Sequence, residues 1–150
     1  MALKGIDVSK HQGFINWSKV KNSGIDFAII RIGYGMFENQ KDYQFENNYA
    51  GAKANGIAVG IYLYSYAKTV DEARREAECC LKWLDGRKLD LPIYYDIEDE
   101  SQAKLSKAMR NNMCVMFCDI IEKAGYWAGI YANKNWFVNM LDGDTLGKRY

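Results

Sequence analysis

The chain has 150 residues, of which 49% are hydrophobic, 14% aromatic and 26% charged, and 20 basic residues against 19 acidic ones leave a net charge of +1. This is the length and make-up of about one globular domain with a real core, which excludes a disordered or fibrous chain. The even charge argues against a nucleic-acid binder and against a polybasic membrane anchor, and a complete barrel of eight β/α units needs about 250 residues, seldom fewer than about 200.

The opening Met1-Ala2-Leu3-Lys4 leads into no apolar stretch of the kind a signal peptide carries, and no run is long enough to insert in a membrane. A first strand is predicted over 3–8 and a second over 27–32. In the next segment Phe45, Tyr49 and Ala52 share a helical face, with Gly56 where a C-terminal cap belongs. A third strand follows over 57–64. Thr69 and Glu72 then form a capping box ahead of the stripe Ala73, Ala77, Cys80, Leu81 and Leu84. The fourth strand spans 91–97, and Pro92 sits at its entrance, where a missing N–H is tolerated. A helix over 106–124 carries Met109, Met113, Met116, Phe117, Ile120 and Ile121, its methionines reading as core filler. After a fifth strand over 127–131, Asn133 caps a last helix bearing Trp136, Phe137, Met140 and Leu141. Strand and helix thus alternate five times, the pattern of a parallel α/β sheet, wound either as an open doubly wound sheet or as a barrel.

Cys79, Cys80, Cys114 and Cys118 lack a zinc-ribbon spacing and read as small buried thiols on helices, in keeping with synthesis in a reducing compartment. Neither a metal nor a cofactor is expected. His11 is the single histidine. Asp7, Ser9 and His11 invite a triad reading, but alternate strand positions lie roughly 6.5–7 Å apart. A Ser–His hydrogen bond needs about 2.6–3.2 Å. Gly33-Tyr34-Gly35 lacks the third glycine of a dinucleotide fingerprint.

Sites in parallel α/β folds collect at the carboxyl ends of strands. There the first strand ends in Asp7-Val8-Ser9, and the fourth in Tyr94-Tyr95-Asp96-Ile97-Glu98-Asp99-Glu100. Alternation puts Tyr94, Asp96 and Glu98 on one side and Ile97 on the other. Two carboxylates held so close repel, which raises one pKa and keeps the other low, as glycosidases need for a general acid beside an ionised partner. The plainer reading is an acidic loop that faces water. Arg31 lies inside an apolar run and needs an anionic partner. Either Asp7 or Asp96 could serve, and so could purely structural pairing. Tyr62, Tyr64 and Tyr66 share a face and Tyr131 closes the fifth strand, rings that suit the apolar faces and hydroxyl edges of sugars.

The run Gly5-Ile6-Asp7-Val8-Ser9-Lys10-His11-Gln12-Gly13, with Ile15-Asn16-Trp17 after it, resembles the opening of glycoside hydrolase family 25. These are the Chalaropsis-type lysozymes of phage endolysins and bacterial autolysins. The stretch 45–48, then Ala52, Gly56, Gly60 and Tyr62, is similar to that family, and so is Pro92-Ile93-Tyr94-Tyr95-Asp96-Ile97-Glu98. Asn16 departs from the family's usual Asp, at a position where either residue caps a helix. The resemblance implies a TIM-like irregular (β/α)5(β)3 barrel, here with the five β/α units and without the last three strands. Residues 1–150 would then be a C-terminally truncated catalytic domain, open to self-association through unpaired edges.

It further implies cleavage of the β-1,4 bond after N-acetylmuramic acid in a peptidoglycan glycan strand. Glu98 would be the general acid. Asp96 would be its ionised neighbour, orienting the acetamido group or stabilising the transition state, and Asp7 would line the same site. Arg31, Tyr64 and Tyr131 would bind substrate. The chain would act on the extracellular cell wall after synthesis in the cytoplasm and release, as a phage-type lysin does. Two further readings stay open: a truncated domain that binds wall or dimerises without cleaving, and another glycosidase on amino sugars, since chitinases also place Asp and Glu two apart on the fourth strand.

Overall fold

The computed structural model describes residues 2–150. Five parallel strands, β1 (Gly5–Val8), β2 (Phe27–Tyr34), β3 (Ala58–Tyr64), β4 (Ile93–Asp96) and β5 (Ala128–Tyr131), form one sheet in chain order. Each pairs in parallel with its successor. The order never reverses, as it must in a doubly wound sheet. Of the two expected windings this is the barrel's, and among the described residues β1 and β5 each pair on one side only, so the barrel is not closed.

Alternation gives the sheet two different faces. Ala28, Ile30 and Ile32 of β2, Val59, Ile61 and Leu63 of β3, and Ile93 and Tyr95 of β4 are all fully buried on the outer face. They pack beneath the helices α1 (Trp17–Asn22), α2 (Phe45–Ala54), α3 (Val70–Leu84) and α4 (Lys107–Lys123). Ala73, Ala77, Cys80 and Leu84 of α3 and Met113, Phe117 and Ile121 of α4 complete this core. Phe117 stacks on Tyr95 with ring centroids 4.2 Å apart. The four thiols lie buried on α3 and α4, as expected, and burial raises their pKa values, that of Cys114 to about 12.

Capping follows the sequence closely. Asn16 Oδ1 accepts from Lys19 N at 3.1 Å, and Ser106 Oγ from Met109 N at 3.0 Å. Thr69 Oγ1 accepts from Glu72 N, but the Glu72 carboxylate reaches back to Lys68 N rather than to Thr69, so the expected box is displaced by one residue. The last helix differs from expectation. Asn133 Oδ1 does accept from Trp136 N at 3.1 Å, yet Trp136–Met140 winds as a wider π turn. Arg110 of α4 holds its end by donating from Nε to Met140 O. A further helix, α5 (Gly143–Arg149), follows under an Asp142 cap. Gly143 and Gly147, poor helix formers, hide it in the sequence.

Candidate active site

The inner face of the sheet borders a cavity of about 380 Å³ lined by Asp7, Ile29, Tyr62, Tyr94, Asp96, Glu98 and Tyr131. Every strand contributes one or two of these residues, and Glu98 lies two positions beyond β4. Register explains the grouping. Tyr62 pairs with Tyr94, which pairs with Gly129; one step further, Asp96 pairs with Tyr131. Gly129 is required here: a Cβ would stand 2.7 Å from Tyr94 Cε1, so only glycine lets the ring lie across β5. The structure therefore brings together Asp7, Asp96, Glu98 and Tyr131 from among the residues singled out in the sequence. Tyr62 and Tyr94, also marked in the sequence by strand alternation, form aromatic walls, and the structure adds Ile29 as an apolar one.

Arg31 and Tyr64 do not line the cavity. The Arg31 guanidinium, 8% exposed, donates from Nε to Asp42 Oδ2 at 2.8 Å, and its Nη2 is buried without a partner. Asp42 also accepts from Lys10 N at 3.0 Å and Gln44 N at 2.9 Å. The partner is thus neither Asp7 nor Asp96 but a loop aspartate with no pattern to mark it. Tyr64 Oη donates to Asp99 Oδ1 at 3.0 Å, and burial together with that carboxylate pushes the phenol up.

Burial pushes the Asp96 carboxyl up to about 8, aided by the charge of Glu98, a hydrogen bond with it, and the charge of Asp7. Asp96 Oδ1 is buried and meets no donor from the rest of the protein. A proton on this carboxyl, shared with Glu98, relieves both conditions. Burial and the neighbouring carboxylates thus favour the protonated form of Asp96 in this arrangement, where the resemblance implies an ionised one. Burial lifts Tyr62 to about 12 against the opposing charge of Arg31, and it lifts Tyr131, which feels Glu98, Asp7 and Asp96.

Behind β4 lies a second carboxyl. Glu76 of α3, 1% exposed, accepts from Ser65 Oγ at 2.8 Å and Tyr95 Oη at 2.7 Å on Oε1, and from Tyr66 N at 2.9 Å on Oε2. Gln102 Nε2 donates to Ser65 Oγ and to Ala67 O, each at 2.9 Å. The network ties the loop after β3 to the loop after β4. Burial raises Glu76 to about 7 while these hydrogen bonds hold it back. The signal was present in the sequence, since position 76 falls within the buried stripe between 73 and 80.

Two neighbouring carboxyls, one of them pushed up by burial, a third acid and tyrosine walls form a site suited to acid-assisted cleavage of a sugar acetal. Comparison with known proteins agrees. The family described as Glycosyl hydrolases family 25 matches residues 6–150. The autolytic lysozyme of Clostridium acetobutylicum is 27% identical over 143 residues, covering 93% of this chain and 41% of that protein. Lysozyme M1 of Streptomyces globisporus is 46% identical over 63 residues, 42% of this chain and 21% of that protein. Among solved structures, the modular autolysin LytC of Streptococcus pneumoniae superposes with a TM-score of 0.86 at 26% identity, over 99% of this chain and 36% of that one. The chain spans less than half the length of each of these relatives. Matched over residues 6–150 and sharing the fold of family structures, the chain belongs to glycoside hydrolase family 25.

Proposed function

We propose that this chain is the catalytic domain of a muramidase, which hydrolyses the β-1,4 bond between N-acetylmuramic acid and N-acetylglucosamine in peptidoglycan. The observation that carries the reading is the cavity that gathers Asp7, Asp96 and Glu98 between the walls Tyr62, Tyr94 and Tyr131. Support comes from the relatives, several of which are named as lysozymes or autolysins, and LytC has been solved with a synthetic peptidoglycan ligand. The place of action is then the cell wall outside the membrane. No helix among the described residues is long and apolar enough to cross a membrane.

Glu98 is the general acid. A sugar acetamido N–H that reaches Asp96 stabilises the charged form of that carboxyl, and the pair's proton moves to Glu98. Glu98 then protonates the glycosidic oxygen as the bond breaks. Asp7, on the facing edge strand, places negative charge where the sugar ring becomes positive. Tyr131 stacks on the sugar. Arg31 and Tyr64, paired with Asp42 and Asp99 outside the cavity lining, hold the strand ends beside the site rather than the substrate.

Glu98→Gln tests the reading. It should slow the clearing of a bacterial wall suspension by about 10²–10⁴-fold, with an unchanged melting temperature. Near-normal clearing by that variant sinks the assignment. A second reading, wall binding without cleavage, is favoured by one feature: both edge strands that border the cavity, β1 and β5, are unpaired on their outer sides among the described residues. Wild-type chain that co-sediments with walls yet never clears them would establish it.

A further inference from the structure

A cationic aromatic patch that the mechanism does not use lies at the same end of the sheet as the cavity. Lys10 follows β1 in the turn Lys10–Gln12, and Tyr34 ends β2. Tyr43 lies just past the turn Glu38–Gln40, and Tyr64 and Tyr66 stand at and beyond the end of β3. Separate segments thus converge at the carboxyl ends of the strands that also carry Asp7 and Asp96. Lys10 Nζ lies 5.7 Å from the centroid of the Tyr34 ring and 5.6 Å from that of Tyr43. Tyr66 meets Tyr34 edge-on at 6.1 Å and leans against Tyr64 at 5.1 Å. Tyr43 is 70% exposed and Tyr66 47%, so the rings offer surface to a ligand.

The charges around Lys10 are unbalanced. Two cations share the Tyr34 ring, because Arg31 Cζ also lies 5.5 Å from its centroid. Arg31 has a counter-charge in Asp42. Lys10 makes no ion pair among the described residues, and Asp42 meets only its backbone N–H. An ammonium held over two rings keeps its N–H donors for an outside acceptor, and the rings beside it thin the surrounding water, so a bound anion is held more strongly.

We propose that Lys10, with Tyr34, Tyr43 and Tyr66, forms a subsite for a carboxylate carried by the saccharide substrate. The assignment rests on the glycan-hydrolase reading above and extends it. Peptidoglycan offers carboxylates on its peptide branches and, once a branch is removed, on the lactyl group of the muramic acid. The chemistry at Lys10 is the same for both.

Binding decides the matter independently of turnover. Calorimetry on the full chain carrying Glu98→Gln uses a soluble peptidoglycan tetrasaccharide with peptide branches, and the same glycan stripped by an amidase. Adding Lys10→Glu should raise Kd for the branched glycan about tenfold, with the effect shrinking as salt rises. Lys10→Arg should bind nearly as the parent does. Lys10→Gln and Tyr43→Ala, which leave the backbone bond to Asp42 intact, should weaken binding in the same direction should Lys10→Glu fail to fold. A Lys10 effect that vanishes on stripped glycan assigns the carboxylate to the peptide branch, and one that persists assigns it to the lactyl group. Equal Kd values for parent and Lys10→Glu, or no binding by the parent, overturn the subsite. Lys10-dependent binding by a chain that never clears walls would retain the subsite and overturn the muramidase reading. Clearing with a KM indifferent to Lys10 would do the reverse.

Discussion

Asp96 and Glu98 face one cavity, and the raised pKa of the Asp96 carboxyl sets the pH range in which the proposed site can work. Asp96 is lifted to about 8 by burial first and by Glu98 and Asp7 after that. In the proposed mechanism the acid's proton comes from Asp96, and above that pH Asp96 has released it. The kcat/KM for wall hydrolysis should therefore fall as pH rises through about 8. In Asp96→Asn the activity should drop by about 10²-fold or more, and the alkaline limb should leave pH 8. A pH–rate profile checks both, and an unchanged limb in the variant would remove Asp96 from the mechanism. Sequence alone showed that these two carboxyls share a side, because alternation along a strand is fixed. It could not show which one keeps the proton, because that depends on how deeply each side chain is buried once β3, β4 and β5 are in register. Arg31 shows the same limit: its apolar neighbours announced a buried cation, but Asp42 lies in an irregular loop whose position no periodicity reveals.

At the scale of elements, Glu76 joins α3 to the loops that follow β3 and β4. Its pKa rises from an ordinary 4.5 to about 7 on folding. Between those values the folded chain holds a proton that the unfolded chain has released, so stability is greatest below about 4.5 and falls as pH rises to about 7. The full effect is about 3 kcal/mol. Urea unfolding at pH 4 and pH 8 should show wild type losing about that much more than Glu76→Gln over the interval. Equal losses would mean that Glu76 stays charged in the folded chain. The strands were legible as elements because their outer faces are runs of Ile, Val and Leu, and α3 and α4 because their stripes are unbroken. The π turn and α5 were not, since Arg110 shapes the first from 30 residues away and two glycines disguise the second.

For the molecule as a whole, the strand order and the unpaired edges matter most. β1 and β5 present backbone N–H and C=O groups with no strand beside them among the described residues. Such edges are templates for pairing with another chain. Sedimentation equilibrium should accordingly show mass rising above the 17.2 kDa of one chain as concentration increases. A single 17.2 kDa species at every concentration would show that the edges are protected in solution.

The two faces of the sheet have a consequence for how the chain can change. Ile61 and Leu63 answer to the helices, while Tyr62 between them answers to the cavity. The same holds for Ile93 and Tyr95 around Tyr94. A new side chain at 29, 62, 94 or 131 reshapes what the cavity accepts while the residues that hold the sheet to its helices stay as they are. Recognition and folding can thus drift apart under selection, and what the cavity accepts can vary on a scaffold that need not.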